Sequence, residues 1–249
     1  MRKWACIAAI LLLGRSLLPA ADVAVSFKLG LGYPFFSGRD YEDGLALLEA
    51  DFLADEGYFV DWDTRINAKG LGLHAGVSLT LGLSDWFALQ PEVFFSRFGG
   101  CYGFDDPVNY GEVLFVDRLR CVETILLAAF RFGRGNRKVS LFAGPDVAFR
   151  WGEVVEKLYQ EGYPPQEYVY PDTLFARLFF NVVGGAGITY YLRNGVLLSL
   201  EARYTGSLGT IMNESVTGES DWRQNSVQFM MGIGRVLGGK GVIRRSDLR

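Results

Sequence analysis

Histidine is nearly absent. His74 is the only one in 249 residues, which excludes His-rich metal centres and any motif built on two histidines. Cysteine is scarce too: there are three, and Cys6 lies within the first twenty residues. Beyond residue 21 no stretch approaches the roughly 18 consecutive apolar residues of a membrane-spanning helix. There is no G-x-S-x-G turn. Gly184-Gly-Ala-Gly187 leads into a strand-like run where a phosphate loop would lead into a helix. An excess of basic residues is also lacking. The formal net charge of −3 becomes −6 once Arg2, Lys3 and Arg15 are removed with residues 1–21, which disfavours nucleic acid as a partner. These shortages leave no catalytic residue, no metal site and no cofactor to expect.

What is present begins with an export signature. Arg2 and Lys3 precede the apolar run Trp4–Leu13, and the small residues Ala20 and Ala21 follow. This reads as a secretory signal peptide over 1–21, since the run is shorter than the roughly 20 residues of a spanning helix. The expected organisation is then 1–21 signal, 22–238 one β domain, and 239–249 a short basic tail.

From Leu71 to Leu83 every odd residue is apolar, and from Gly70 to Ser84 every even one is glycine or polar, including His74. Successive side chains of a strand point to opposite faces, so this is a two-sided strand. Eight such stretches recur, at about 23–36, 68–83, 86–100, 119–132, 138–152, 178–192, 195–211 and 225–238. Each exceeds the roughly 9–11 tilted residues that cross a bilayer. Short connections (Leu83–Trp86, Gly133–Arg137, Leu192–Gly195) alternate with long ones at 37–67, 101–118, 153–177 and 212–224. Asn194-Gly195 favours a tight hairpin because both residues tolerate positive φ. Short inner turns and long outer loops are the layout of an even-stranded outer-membrane barrel. The fold expected is therefore all-β: an eight-stranded antiparallel up-and-down transmembrane barrel with a lipid-facing apolar exterior and a polar, plugged interior.

Carrying the phase through all eight strands assigns Lys28, His74, Gln90, Glu92, Glu123, Arg131, Asp146, Arg150, Asn181, Glu201, Arg203 and Gln228 to the inward face. Four cations stand with four anions, as a pairing network would need if such charges are buried. Groups solvated near a barrel mouth are the alternative. Aromatic residues gather at strand ends. Trp86, Phe87, Phe130, Phe132, Tyr190 and Tyr191 lie by the short turns; Tyr33, Phe35, Phe36, Phe95, Phe98, Phe149, Trp151, Phe179, Phe180 and Tyr204 lie toward the long connections. Two belts of this kind fit the two interfaces of a membrane.

The hairpin "GLGLHAGVSLTLGLSDWFALQPEVFFSRFGG" (70–100) resembles PorT-like and OmpA-like outer-membrane β-barrel domains. "VETILLAAFRFG" with "VSLFAGPDVAF", and "GGAGITYYLRNGVLLSLEARYTGSLGTI" (184–211), are similar to later hairpins of that group. The resemblance implies an eight-stranded barrel in the cell outer membrane and no shared catalytic residues. Two departures stand beside it: the last strand is followed by "GGKGVIRRSDLR" where many such barrels end on an aromatic, and no peptidoglycan-binding segment follows.

Cys101 and Cys121 flank the second long connection. An oxidising compartment permits a disulfide there, contributing about 3 kcal/mol by loop closure, with two free thiols as the alternative. His74 has Ser78 one step away on its face, a pairing also found in lipid A deacylases of the PagL type; a buried histidine bonded to a glutamate is the plainer reading. The first long connection is acidic, and Leu45, Leu48 and Phe52 fall at helical spacing.

The function expected is structural or interactive. The barrel has no open pore, lies among outer-membrane lipid, and presents long extracellular loops to an extracellular or envelope protein partner. An envelope lipid-modifying enzyme, a soluble lipocalin-like carrier and a narrow conducting pore are the alternatives.

Overall fold

A computed structural model describes residues 22–37, 71–98, 101–106, 111–160, 164–170, 175–192, 195–210 and 223–238. The expected signal peptide, the acidic connection with its helix and the basic tail lie outside the described residues. Among the described residues eleven strands follow in order: β1 (Asp22–Ser37), β2 (Gly72–Gly82), β3 (Phe87–Phe98), β4 (Cys101–Asp106), β5 (Gly111–Phe132), β6 (Arg137–Arg150), β7 (Val154–Gln160), β8 (Gln166–Tyr170), β9 (Leu178–Tyr191), β10 (Val196–Ser207) and β11 (Arg223–Gly238).

Eight of these close a circle. The hydrogen-bonded order is β3-β2-β1-β11-β10-β9-β6-β5, and β5 pairs back onto β3 from Phe87↔Phe130 to Phe98↔Leu119. Every neighbouring pair in the circle is antiparallel. The result is a closed eight-stranded antiparallel barrel, whose strands are the eight stretches of alternating sequence. Closure satisfies the backbone within the sheet, the condition hydrocarbon imposes.

The short connections are tight, as their composition predicts. Leu83 and Ser84 N–H both donate to Phe87 O at 3.1 Å, and Ser84 Oγ accepts from Phe87 N–H. At the β9–β10 turn Gly195 has φ +79°, and Leu192 N–H donates to Val196 O at 2.7 Å. Pro91 and Pro145 sit mid-strand on either side of β5, and the β2–β3 and β5–β6 ladders break near them. A proline has no N–H for the ladder, so a local interruption is expected there.

Two long connections differ from expectation. Residues 101–118 and 153–177 were expected to be loops, yet they hold β4, β7, β8 and the first third of β5. Residues 111–118 of β5 run on past the barrel and pair with β4 on one side and β7 on the other, with β8 beyond β7. This ribbon was hidden because Val113, Leu114, Phe115 and Val116 are apolar on both faces and show no two-residue rhythm.

Burial follows the predicted phase. Leu73 and Val77 are each 53% exposed and Leu200 61%, while Lys28 and Glu92 are 2%. The leucine face therefore points outward, away from any internal pocket, which removes the soluble carrier from the alternatives. Near the short turns Trp86, Phe87 and Phe130 pack together, with Trp86 and Phe130 stacked at 5.9 Å. Phe98, Phe179 and Tyr191, assigned above to the aromatic belts, are instead buried inside the barrel. Their positions carry the inward parity of their strands.

Val77 lies at mid-strand on the lipid-facing side. Val77→Arg should destabilise the barrel by about 2–4 kcal/mol in equilibrium urea unfolding in bilayers, while Leu83→Arg, beside the short turn, costs about 0–1 kcal/mol.

Candidate functional site

Inward parity brings the chemistry of this chain into the bore. One group is a closed set of four charges. Lys28 Nζ donates to Glu92 Oε1 and to Glu201 Oε1, both at 2.6 Å. Arg203 grips Glu92 with two nitrogens, Nη1 to Oε2 at 2.5 Å and Nη2 to Oε1 at 3.0 Å. Its Nε reaches Glu201 Oε2 at 2.9 Å, and Nη2 also bonds that oxygen. Gln90 Nε2 adds a donor to Glu92 Oε1 at 2.7 Å. The guanidinium lies 5.5 Å from the ring centre of Phe94 and 5.3 Å from that of Phe142, in cation–π range of both.

The position of this set matters more than its chemistry. Glu92 is on β3 and Arg203 on β10, four strands apart in either direction around the eight-strand circle. Their ion pair therefore spans the diameter of the barrel.

His74, Ser96 and Glu123 form a second group. Ser96 Oγ donates to Glu123 Oε2, so the hydroxyl accepts from His74 Nδ1–H at 2.9 Å. His74 Nδ1 lies 3.6 Å from the same carboxylate, and the ring packs edge-on against Phe98 at 5.1 Å. The partner of His74 is thus Ser96 on the neighbouring strand, not Ser78. His74 and Ser96 share a register position and an inward parity, a neighbour relation that the strand pairing supplies. The serine hydroxyl is thus bonded on one side to a carboxylate and on the other to the imidazole.

The other predicted residues stand apart. Asn181 Nδ2 donates to Asp146 Oδ2 at 2.7 Å. Gln228 Nε2 donates to Thr205 and Ser226 hydroxyls at 3.2 and 2.9 Å. Arg131 binds Ser84 O at 2.6 Å beside a short turn. Arg150 donates to Gly152 O at 2.7 Å and to Ala176 and Phe175 carbonyls at 3.3 and 3.4 Å, tying the segment before β9 to the far end of the bore. The inward set was read as one pairing network; the structure divides it, because side chains reach only those on adjacent rows or directly across.

Nor is the interior polar throughout. Phe94, Leu127, Phe142, Val183 and Met230 belong to one buried apolar cluster. Phe98, Leu119, Cys121, Val154, Phe175 and Phe179 belong to another at the long-connection end. Inward glycines make room for this bulk. A Cβ on Gly185 would stand 2.7 Å from the Phe142 ring, one on Gly187 2.8 Å from Glu201 Cγ, and one on Gly32 2.6 Å from His74 Nε2.

The candidate disulfide is corrected. Cys121 is a buried free thiol. Cys101 pairs in register with Val116, five positions along β5 from Cys121, or about 16 Å at strand rise and beyond the reach of a disulfide.

Residues 19–213 match the model of the outer membrane protein β-barrel domain, and the hairpins quoted above fall within that span. The chain belongs to this family. The outer membrane is accordingly the location of this family member, and β11, which completes its barrel, follows the matched segment. Among solved structures, OprG from Pseudomonas aeruginosa is similar at 10% identity with a TM-score of 0.42, over 88% of this chain and 97% of that one. Ail of Yersinia pestis, solved with the heparin analogue sucrose octasulfate, is similar at 11% identity with a TM-score of 0.35, over 86% and 99%. Neisserial surface protein A is similar at 11% with a TM-score of 0.38, over 84% and 97%. No curated protein matches the chain.

Removing one member of a buried ion pair strands the other, a loss of about 3–5 kcal/mol. Glu92→Gln or Arg203→Gln alone should cost that much in urea unfolding of the refolded barrel. The double substitution should cost clearly less than the two singles together, because Lys28 and Glu201 remain as a neutral pair.

Proposed function

We propose that the chain is a non-catalytic outer-membrane barrel whose bore is blocked and whose task is performed at its long-connection end. The observation that carries this reading is the Glu92–Arg203 pair across the diameter of the bore, flanked by Lys28 and Glu201. A pair of charges held in that place, with Phe94 and Phe142 against the guanidinium, leaves a permeating ion to compete with a charge-assisted network. The apolar cluster of Phe98, Phe175 and Phe179 further along supports the same reading.

Several observations favour interaction over catalysis. The His74–Ser96–Glu123 set is buried, and its serine proton is committed to the carboxylate. The β4–β5–β7–β8 ribbon extends the sheet beyond the barrel on the side where the connections are long, the extracellular side in barrels of this layout. Such a ribbon offers strand edges to an extracellular or envelope protein. Within the family, the 70–100 and 184–211 hairpins support a likeness to PorT-like members.

Planar-bilayer recording of the refolded full chain tests the blocked bore. The expected trace has no steady conductance steps above the protein-free bilayer. A stable ohmic channel in the wild-type protein would contradict it.

A further inference from the structure

We propose that the short-turn half of the bore holds a small monovalent anion such as chloride, with Arg131 and Lys138 at the mouth of the site and the Ser199 hydroxyl within it. The site requires the closed barrel, and neither the blocked middle of the bore nor the ribbon.

Inward parity builds the cavity. Ser26 on β1, Thr80 on β2, Ser140 on β6, Thr189 on β9 and Ser199 on β10 line a space of about 30 Å³. The register puts Lys138, Thr189 and Ser199 in one row and pairs Arg131 with Ser140. Arg131 and Lys138 stand next to the short turns: Arg131 Nη2 donates to Ser84 O at 2.6 Å, and Lys138 Nζ to Gly133 O at 2.9 Å. Lys28 and Glu201 belong to the same lining, one inward position further from the turns than Ser26 and Ser199. They form the inner wall.

Two groups in this lining lack partners. Arg131 Nε and Ser199 Oγ are both buried, and neither has a hydrogen-bond partner among the described residues. Ser199 as a whole is 6% exposed. Buried polar groups are hydrogen-bonded as a rule. A guanidinium N–H can only donate, and a hydroxyl turns its proton toward whatever accepts it. The cavity therefore asks for an acceptor.

Charge selects an ion over water. Lys28 and Arg203 are balanced by Glu92 and Glu201 within the four-charge set, so Lys28 and Glu201 bring no net charge to the cavity. Arg131 and Lys138 are left over, and the carbonyls they bind are neutral. Glu201 is the one acidic side chain of the lining. Asp85, on the β2–β3 turn, is exposed and forms no ion pair among the described residues. Water would satisfy the two donors and leave two positive charges inside low-dielectric walls. An anion satisfies the donors and offsets the charge together, and the field of the two cations draws it in from the short-turn side. The volume admits a few waters or one small ion.

The full chain is refolded in an uncharged detergent and scored for the heat-dependent gel shift of a folded barrel. Sodium chloride is titrated at constant ionic strength with gluconate as the balancing anion, and the width of the chloride NMR line reports ions exchanging with the protein. Wild type should broaden the line beyond protein-free micelles. R131Q/K138Q should lose at least about tenfold of that broadening, the scale of charge-assisted hydrogen bonds, and S199A about threefold, the scale of a neutral one. R134Q removes an exposed charge from the β5–β6 turn outside the lining and should match wild type. If R131Q/K138Q gives no gel shift, K138Q and S199A decide in its place. A gel-shifting wild type that leaves the line unbroadened overturns the site, since water then serves both groups. Undiminished broadening by the folded variants, or an equal loss in R134Q, also overturns it and assigns the effect to surface charge. A wild-type protein without a gel shift overturns barrel and site together.

Discussion

Hydrocarbon offers no hydrogen-bond partner, so a strand that crosses it must give every N–H and C=O to another strand. In this chain the β3–β5 ladder meets that demand. It joins strands separated in sequence by β4 and turns an open sheet into a circle of eight. Once the circle exists, parity decides everything inside and outside it. A shift of one residue in any strand would move leucines into the bore and charges into lipid.

The bore of so small a barrel is just wide enough to be filled by its own side chains. Here filling and charge pairing are the same problem. Arg203 is sandwiched by Phe94 and Phe142 while its nitrogens are spent on Glu92 and Glu201. Lys28 takes the remaining side of both carboxylates. Glycines opposite the bulky groups, Gly185 under Phe142 and Gly187 under Glu201, allow large side chains to lie across neighbouring strands without pushing the backbone apart. A buried pair of this kind adds little net stability over an apolar filling, but it punishes any rearrangement that separates its members. The four-charge set forms only when β3 and β10 stand opposite each other in the bore, so a change of register or strand order would strand its charges.

Much of this is written in the sequence. The strict alternation from Leu71 to Leu83 and its seven counterparts mark the barrel strands, because a two-residue period needs nothing beyond the strand itself to be seen. The twelve inward residues follow from the same parity. What was not legible depends on distance in space. Lys28 with Glu92, or Glu92 with Arg203, requires knowing which strands stand beside or opposite each other. Ser96, the partner of His74, was passed over because a serine at an inward position carries no mark of its own. The ribbon was missed where both faces are apolar, at 113–116, and the inward Phe98, Phe179 and Tyr191 were misread because aromatic character at a strand end was weighed above parity.

The direction of the two faces is the claim that bears most weight, and nuclear Overhauser contacts from detergent acyl-chain protons to the protein test it most directly. In the refolded, deuterated barrel with protonated methyl groups, contacts should appear at Leu73, Val77 and Leu200 and be absent at Val183 and Met230. Acyl-chain contacts at Val183 or Met230, with none at Leu73 and Val77, would reverse the barrel's inside and outside and contradict the account.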